Sequence, residues 1–248
     1  MSKRALVLSG GGMFGAWQAG AWSVFSSHFQ PFLIVGASVG SLNGYAIAAG
    51  CSHEEILELW RRPQAAGFRQ LPATIHELVA THPLQNDFSV VLVNLLRMRE
   101  EIVSGPDVTW QHLVASCAVP GLMLPKNING GWYLDGGLIN VLPLPAALKL
   151  GATDIFALNA LPEFPIVSLR PFVRAFQRVA RKGKGTPPGF TWQNICPRTP
   201  LGSLKDASFW NAANVERWYA QGIADAHATL KERPALLQNI SMEDCLGP

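Results

Sequence analysis

Two stretches decide how this chain is read: Ala5-Leu6-Val7-Leu8-Ser9-Gly10-Gly11-Gly12-Met13-Phe14-Gly15, and then Phe32-Leu33-Ile34-Val35-Gly36-Ala37-Ser38-Val39-Gly40. Each opens with an apolar run that does not alternate, the pattern of a strand buried on both faces, and each run ends in a glycine-rich turn. Residues 16–29 between them suit a helical crossover, which would make the strands parallel neighbours and bring both turns to one end of the sheet. Open α/β sheets place their ligands at that end.

Composition sets the outer bounds. With 248 residues, 48% of them hydrophobic, the chain can bury one large α/β core, and a single domain over 1–248 is expected. Only 15% of residues are charged and the mean hydropathy is slightly positive, which suits a greasy substrate as well as a large core. A net charge of +3 is too small and dispersed to indicate nucleic acid. The four cysteines, Cys51, Cys117, Cys196 and Cys245, lack the spacing of a zinc site or disulfide framework, so neither is indicated, and no cofactor is expected. The apolar run behind Met1 is too short for a signal peptide, and no run approaches the roughly 20 residues of a membrane span. A cytoplasmic protein, soluble or peripheral to a membrane, is the expectation.

Beyond the second turn, Ser41 to Ala49 reads as a buried helix closed by Gly50. Ser52-x-x-Glu55 and Thr74-x-x-Glu77 read as capping boxes, with surface loop between. Phe88 to Leu95 pairs with Glu101-Ile102-Val103, and Asp107 or Thr109 caps a helix reaching about Cys117. Leu122 to Leu124 and Trp132 to Leu134 flank an Asn129-Gly130 hairpin turn. Pro143 to Leu150 is a helix, Asp154 to Ala160 a buried strand, and a long helix closes the chain at about 204–233. In the proline-rich insertion 161–190, Arg170, Arg174, Arg178, Arg181 and Lys182 bracket Phe172, Val173, Phe176 and Val179. That segment reads either as a solvated flank or as an interfacial helix meeting anionic lipid.

The first turn permits two chemistries. Gly10-x-Gly12-x-x-Gly15 after a strand matches a dinucleotide fingerprint, which needs an acid near the end of the next strand to hold a ribose. Here that strand ends in Gly36-Ala37-Ser38, and the first acidic residue of the chain is Glu54. The other chemistry is a cluster of uncovered amides, from Gly10, Gly11, Gly12 and Gly15, suited to a developing oxyanion. Gly36-x-Ser38-x-Gly40, lying between a strand and a helix, is the setting of a nucleophile elbow, with Val39 lending its amide; the plain alternative is a serine that caps the helix.

A nucleophilic Ser38 requires a base. His227 completes the order Ser38, Asp135, His227 of an α/β-hydrolase triad, but it lies within an alanine-rich helical stretch, and Ser38 follows only the second strand. His28, His53, His76, His82 and His112 have no oriented acid beside them. Asp135 ends an apolar strand ahead of Gly136 and Gly137, either as an Asp-Gly turn or as a carboxylate facing Ser38. In the second case burial should raise its pKa from the usual value of about 3.9.

Taken as an ordered set, Gly10-Gly11-Gly12-x-x-Gly15, Gly36-x-Ser38-x-Gly40, Ala115-Ser116-Cys117-Ala118-x-Pro120 and Asp135-Gly136-Gly137 resemble the motifs of the patatin-like phospholipases, from about Ala5 to Ala160. The resemblance implies a three-layer α/β/α fold with a largely parallel central sheet. It implies a Ser38-Asp135 dyad without histidine, an oxyanion hole from the glycine loop, and carboxylic esters of acyl lipids as substrates, with no metal. It departs from the family at Phe14, where an arginine or lysine is common. Two rival functions stand beside it: a small-molecule esterase with a Ser-Asp-His triad, and a catalytically silent lipid- or partner-binding scaffold.

Overall fold

The computed structural model describes residues 3–62, 70–162 and 190–234. The basic insertion with Arg170, Arg174, Arg178, Arg181 and Lys182 lies outside the described residues, as does Cys245. Among the described residues eight strands form one sheet: β1 (Arg4–Leu8), β2 (Leu33–Ala37), β3 (Asp87–Asn94), β4 (Arg99–Ser104), β5 (Lys126–Ile128), β6 (Gly131–Asp135), β7 (Asp154–Leu158) and β8 (Thr191–Ile195). Their order is β5-β6-β3-β2-β1-β7-β8, and β4 pairs with β3 as well. The run from β8 to β3 is parallel throughout.

The unbroken apolar runs have the expected origin, since alternate residues of each strand enter different cores. Leu6, Leu8, Ile34 and Phe156 pack with α1 (Gly15–Phe25), α2 (Val39–Ala48) and α3 (His53–Arg61). Ala5, Val7, Val35 and Ala157 pack with α6 (Leu144–Lys149) on the opposite face. The sheet is the middle of three layers, as expected.

The remaining helices are α4 (Leu71–Thr81), α5 (Trp110–Ser116), α7 (Leu204–Ser208) and α8 (Ala212–Glu232). Val215, Trp218, Gly222, Ala226 and Leu230 form the buried stripe of α8 at three- and four-residue spacing, with Asp225 beside it. That stripe crosses α1 closely: a Cβ on Gly222 would overlap the Trp17 carbonyl, and one on Gly20 would overlap that of Tyr219. Trp17 Nε1 donates to Asp225 Oδ2 at 2.9 Å across the same contact.

Several boundaries differ from the sequence reading. The expected helix over 204–233 is two helices, because Asn211 starts a new one by accepting from the Asn214 amide at 3.0 Å. Helix α4 begins at Leu71, with Pro72 in its first turn, so Thr74 is internal and its Oγ1 turns back to Gln70 O. The hairpin turn stands at Asn129-Gly130, both with positive φ, but its first strand is Lys126–Ile128. Leu122 and Met123 lie outside any strand, their amides bonding to Val119 O. Strand β8, Thr-Trp-Gln-Asn-Ile, has too mixed a pattern to be foreseen. Among the described residues no helix is long and apolar enough to cross a membrane.

The feature that positions the site is the shared edge of β3. Val91 pairs with Ala37 of β2 on one edge and with Ile102 of β4 on the other. At Leu92, where β2 has ended, β6 takes over that same edge with Asp135. The end of β2 and the end of β6 therefore meet head-on against consecutive residues of one strand.

Gly222→Ala should test the α1–α8 crossing. The added methyl has no room, so a loss of about 1–3 kcal/mol is expected, read as a lower midpoint in thermal or urea unfolding.

Candidate active site

Ser38 occupies the turn between β2 and α2 with φ 54° and ψ −134°, a conformation that costs a non-glycine residue about 1–3 kcal/mol. The glycines on either side let the turn close. A Cβ on Gly36 would overlap the Gly40 carbonyl, and one on Gly40 would overlap the carbonyls of Leu8 and Ser9. The Ser38 side chain does not cap α2; the helix start is served instead by Ser41, whose amide and Oγ both donate to Ser38 O, at 2.8 and 2.6 Å. The Ser38 hydroxyl is thereby left to act on the Asp135 carboxylate, whose pKa it lowers.

Asp135 is 3% exposed and lies one β3 register position beyond Ala37. Its Oδ1 accepts from Gly137 N at 2.6 Å, so the Asp-Gly turn and the serine contact coexist in one side chain. Burial pushes its pKa from 3.8 to about 7, against the smaller lowering effects of the Ser38 hydroxyl and the Gly137 amide. The groups that act on it are Ser38 and Gly137, neither of them a histidine. His227 is exposed on α8, His53 bonds Ser26, and His112 bonds Thr109.

Ser116, within the Ala115–Pro120 motif, holds the elbow. Its Oγ accepts from Ser38 N and donates to Val91 O, both at 2.9 Å, bridging the strained turn to β3, the strand against which Asp135 is paired. Cys117 beside it is fully buried, its thiol pushed up by burial and by the Asp135 charge.

The glycine loop lies against Ser38, since a Cβ on Gly10 would come within 3.2 Å of Ser38 Cβ. Its amides are not equivalent. Gly10 N donates to Val141 O at 2.8 Å, and Gly15 N donates to Gly12 and Met13 carbonyls. Among the described residues, the amides of Gly11, Gly12 and Val39 have no hydrogen-bond acceptor. Gly12 takes φ +58° and abuts Ala207 O, where a Cβ would not fit. Phe14 is buried edge-on to Trp218, ring centroids 5.1 Å apart, so the position where a cation would be common carries a core residue.

A buried polar chain fixes this loop from behind. Gln18 Nε2 donates to Ser9 O at 2.8 Å and to Leu158 O at 3.0 Å. Asn43 Nδ2 donates to Gly15 O and to Gln18 Oε1, and Trp60 Nε1 donates to Asn43 Oδ1 at 2.9 Å. Neither Gln18 nor Asn43 belongs to a motif, and the one sequence signal for them is a lone amide side chain inside each of two largely small and apolar helices.

Comparison with known proteins points one way. A family model described as "Patatin-like phospholipase" matches residues 6–96 and 99–148. "Patatin-like phospholipase domain-containing protein 7" of Mus musculus is 27% identical over 182 residues, 62% of this chain and 13% of that protein. "Lysophospholipase nte1" of Aspergillus terreus is 27% identical over 180 residues, 62% of this chain and 12% of that one. The chain thus spans about an eighth of the length of these curated relatives. VipD from Legionella pneumophila shares the fold, with TM-score 0.54 and 13% identity over 94% of this chain and 67% of that one.

Two stability measurements follow from the geometry. Ser116→Ala strands the buried Ser38 N–H and should cost about 1–3 kcal/mol in urea unfolding. For Asp135, the folded protein keeps a proton between pH 3.8 and about 7 that the unfolded chain has released, so stability falls as pH rises through that window. Asp135→Asn removes this penalty. It should be more stable than the parent at pH 8, by up to about 4 kcal/mol at 1.36 kcal/mol per pH unit, and equal to it near pH 4.

Proposed function

The chain belongs to the patatin-like phospholipase family, and on that premise we propose that it hydrolyses the carboxylic ester bonds of phospholipids or related acyl lipids through Ser38 and Asp135. The observation that carries this reading is the meeting of the strained Ser38 turn with the buried Asp135 against consecutive residues of β3, with the carboxylate pushed to about 7. A carboxylate with its ordinary pKa is a weak base, whereas one near the working pH can both take and return a proton.

In the proposed reaction Ser38 Oγ attacks the acyl carbonyl while its proton passes to Asp135. The negative charge on the carbonyl oxygen is taken by the free amides of Gly11, Gly12 and Val39, which need no reorganisation at the moment of reaction. The bond to the alcohol breaks, and Asp135 gives its proton to the departing oxygen. Water then attacks the acyl-serine with Asp135 again as base, releasing the fatty acid and restoring the serine. Gly10 and Gly15 serve by shape, permitting the close approach of the loop. The low charge of the chain and the buried Phe14 favour recognition of the acyl part over an anionic head group. We take residues 1–248 as one hydrolase domain, and the basic insertion as its site of peripheral membrane contact.

The triad reading is disfavoured by the exposed position of His227 and by the carboxylate partners of Asp135, which are Ser38 and Gly137. Three variants separate the readings in an assay on p-nitrophenyl esters and lysophospholipid. Ser38→Ala should lose both turnover and labelling by a fluorophosphonate probe, and Asp135→Asn should lose turnover by orders of magnitude. His227→Ala should retain parental rates, whereas a triad would lose at least a thousandfold, on the order seen for such groups. Equal probe labelling of parent and Ser38→Ala would overturn the proposal. The parental kcat/KM should rise with pH and level off above about 7, as the free Asp135 ionises.

A further inference from the structure

We propose that Cys51, Glu55 and His82 form a Zn2+ site at the end of α2 remote from Ser38. The three residues come from separate places: the turn after α2, the first turn of α3, and the C-terminus of α4. Their spacing in the sequence resembles no metal motif, and only the fold unites them.

The Cys51 sulfur, a Glu55 carboxylate oxygen and a His82 ring nitrogen lie within 4.8 Å of one another. Zinc bonds of about 2.0–2.3 Å in a tetrahedron require ligand atoms about 3.3–3.8 Å apart, a contraction of roughly 1 Å that side-chain rotation supplies. Hydrogen bonding sets two of the ligands in advance. The Thr81 hydroxyl donates to Glu77 O at 2.8 Å, so its oxygen accepts from His82 Nδ1, also at 2.8 Å. With its proton on Nδ1, the neutral imidazole presents a bare lone pair at Nε2, the outer-shell arrangement of zinc-bound histidines. Glu55 likewise spends Oε2 on the Ser52 amide, at 2.7 Å, and turns Oε1 toward His82.

The consequence is a pair of acceptors, His82 Nε2 and Glu55 Oε1, facing one another at 3.4 Å. A positive species between them, either a proton on Nε2 or a metal ion, favours that arrangement. A nearby thiol chooses between the two, because sulfur adds nothing to the binding of a proton but completes a three-ligand zinc set with the fourth position for water. The mixed sulfur, nitrogen and oxygen donors select Zn2+ over Mg2+ or Ca2+. On binding, the Cys51 S–H bond breaks, a S–Zn bond forms, and the proton leaves to solvent. Burial and the Glu55 charge push the Cys51 thiol up to about 11, and that same carboxylate is what a divalent cation would neutralise.

The site would act as a brace. It ties the far end of the helix that begins at Ser38 to α3, whose Trp60 holds Asn43 and through it the glycine loop. Neither Ser38 nor Asp135 takes part, so the inference stands independently of the proposed reaction.

The test uses the whole chain, stripped with EDTA and titrated with Co2+ as a visible stand-in for zinc. One Co2+ per chain should bind with a thiolate-to-metal absorption band, and Zn2+ should displace it. The band should vanish in Cys51→Ser, persist in Cys196→Ser, and require at least tenfold more Co2+ in His82→Ala and Glu55→Gln. Zn2+ at a hundredfold excess over its Kd should raise the thermal midpoint of the parent by about 5–10 °C and leave Cys51→Ser unmoved. Absence of the band at stoichiometric Co2+, or its survival in Cys51→Ser, overturns the proposal and assigns the gap to a proton. If Cys51→Ser does not fold, unchanged affinity in both His82→Ala and Glu55→Gln overturns it equally.

Discussion

The hydrogen-bond ladder along one edge of β3 is the constraint on which the site depends. A ladder fixes register to the residue, because a slip by one would turn every side chain to the wrong face. Ala37 is held against Val91 and Asp135 against Leu92 by pairing that also builds the sheet. The serine and the carboxylate are thereby placed by backbone geometry, with no dependence on the conformation of a long loop. Ser116 adds a crosspiece, since it joins the Ser38 amide to the carbonyl of Val91.

Two features of this arrangement work against stability. Ser38 is held in a backbone conformation that L-residues rarely adopt, and Asp135 is buried where its charge is poorly solvated. Their persistence requires the surroundings to over-determine them. The surroundings do so through saturated polar contacts: Ser9, Gln18, Asn43 and Trp60 form a continuous buried chain linking β1, β7 and the first three helices. Each member would be costly alone, and together they leave few buried polar groups without a partner.

The parts of the molecule that were legible in the sequence are those fixed by local pattern. Apolar runs without alternation gave buried parallel strands, and small residues around Ser38 gave a tight turn. Asn129-Gly130 gave a hairpin because both residues accept positive φ. Long-range pairing was less accessible. Nothing in the order of residues announces that β6 continues the edge β2 leaves, or that Ser116 reaches the Ser38 amide across 78 positions. Strand β8 escaped notice because its exposed and buried residues mix polar with aromatic side chains, and its ladder with β7 is what makes it a strand. The glycine amides could be counted in the sequence, but which of them were already engaged depended on Val141, a residue far along the chain.

The contact between Gly12 and Ala207 bears on where the functional unit ends. The recognisable motifs finish by about residue 148, yet the loop that carries Gly12 rests directly on α7, and Phe14 beside it rests on Trp218 of α8. A fragment trimmed to the motif-bearing segment would keep every proposed reacting group and lose the wall that shapes the loop around them. In this fold, the boundary of similarity and the boundary of mechanical integrity fall in different places.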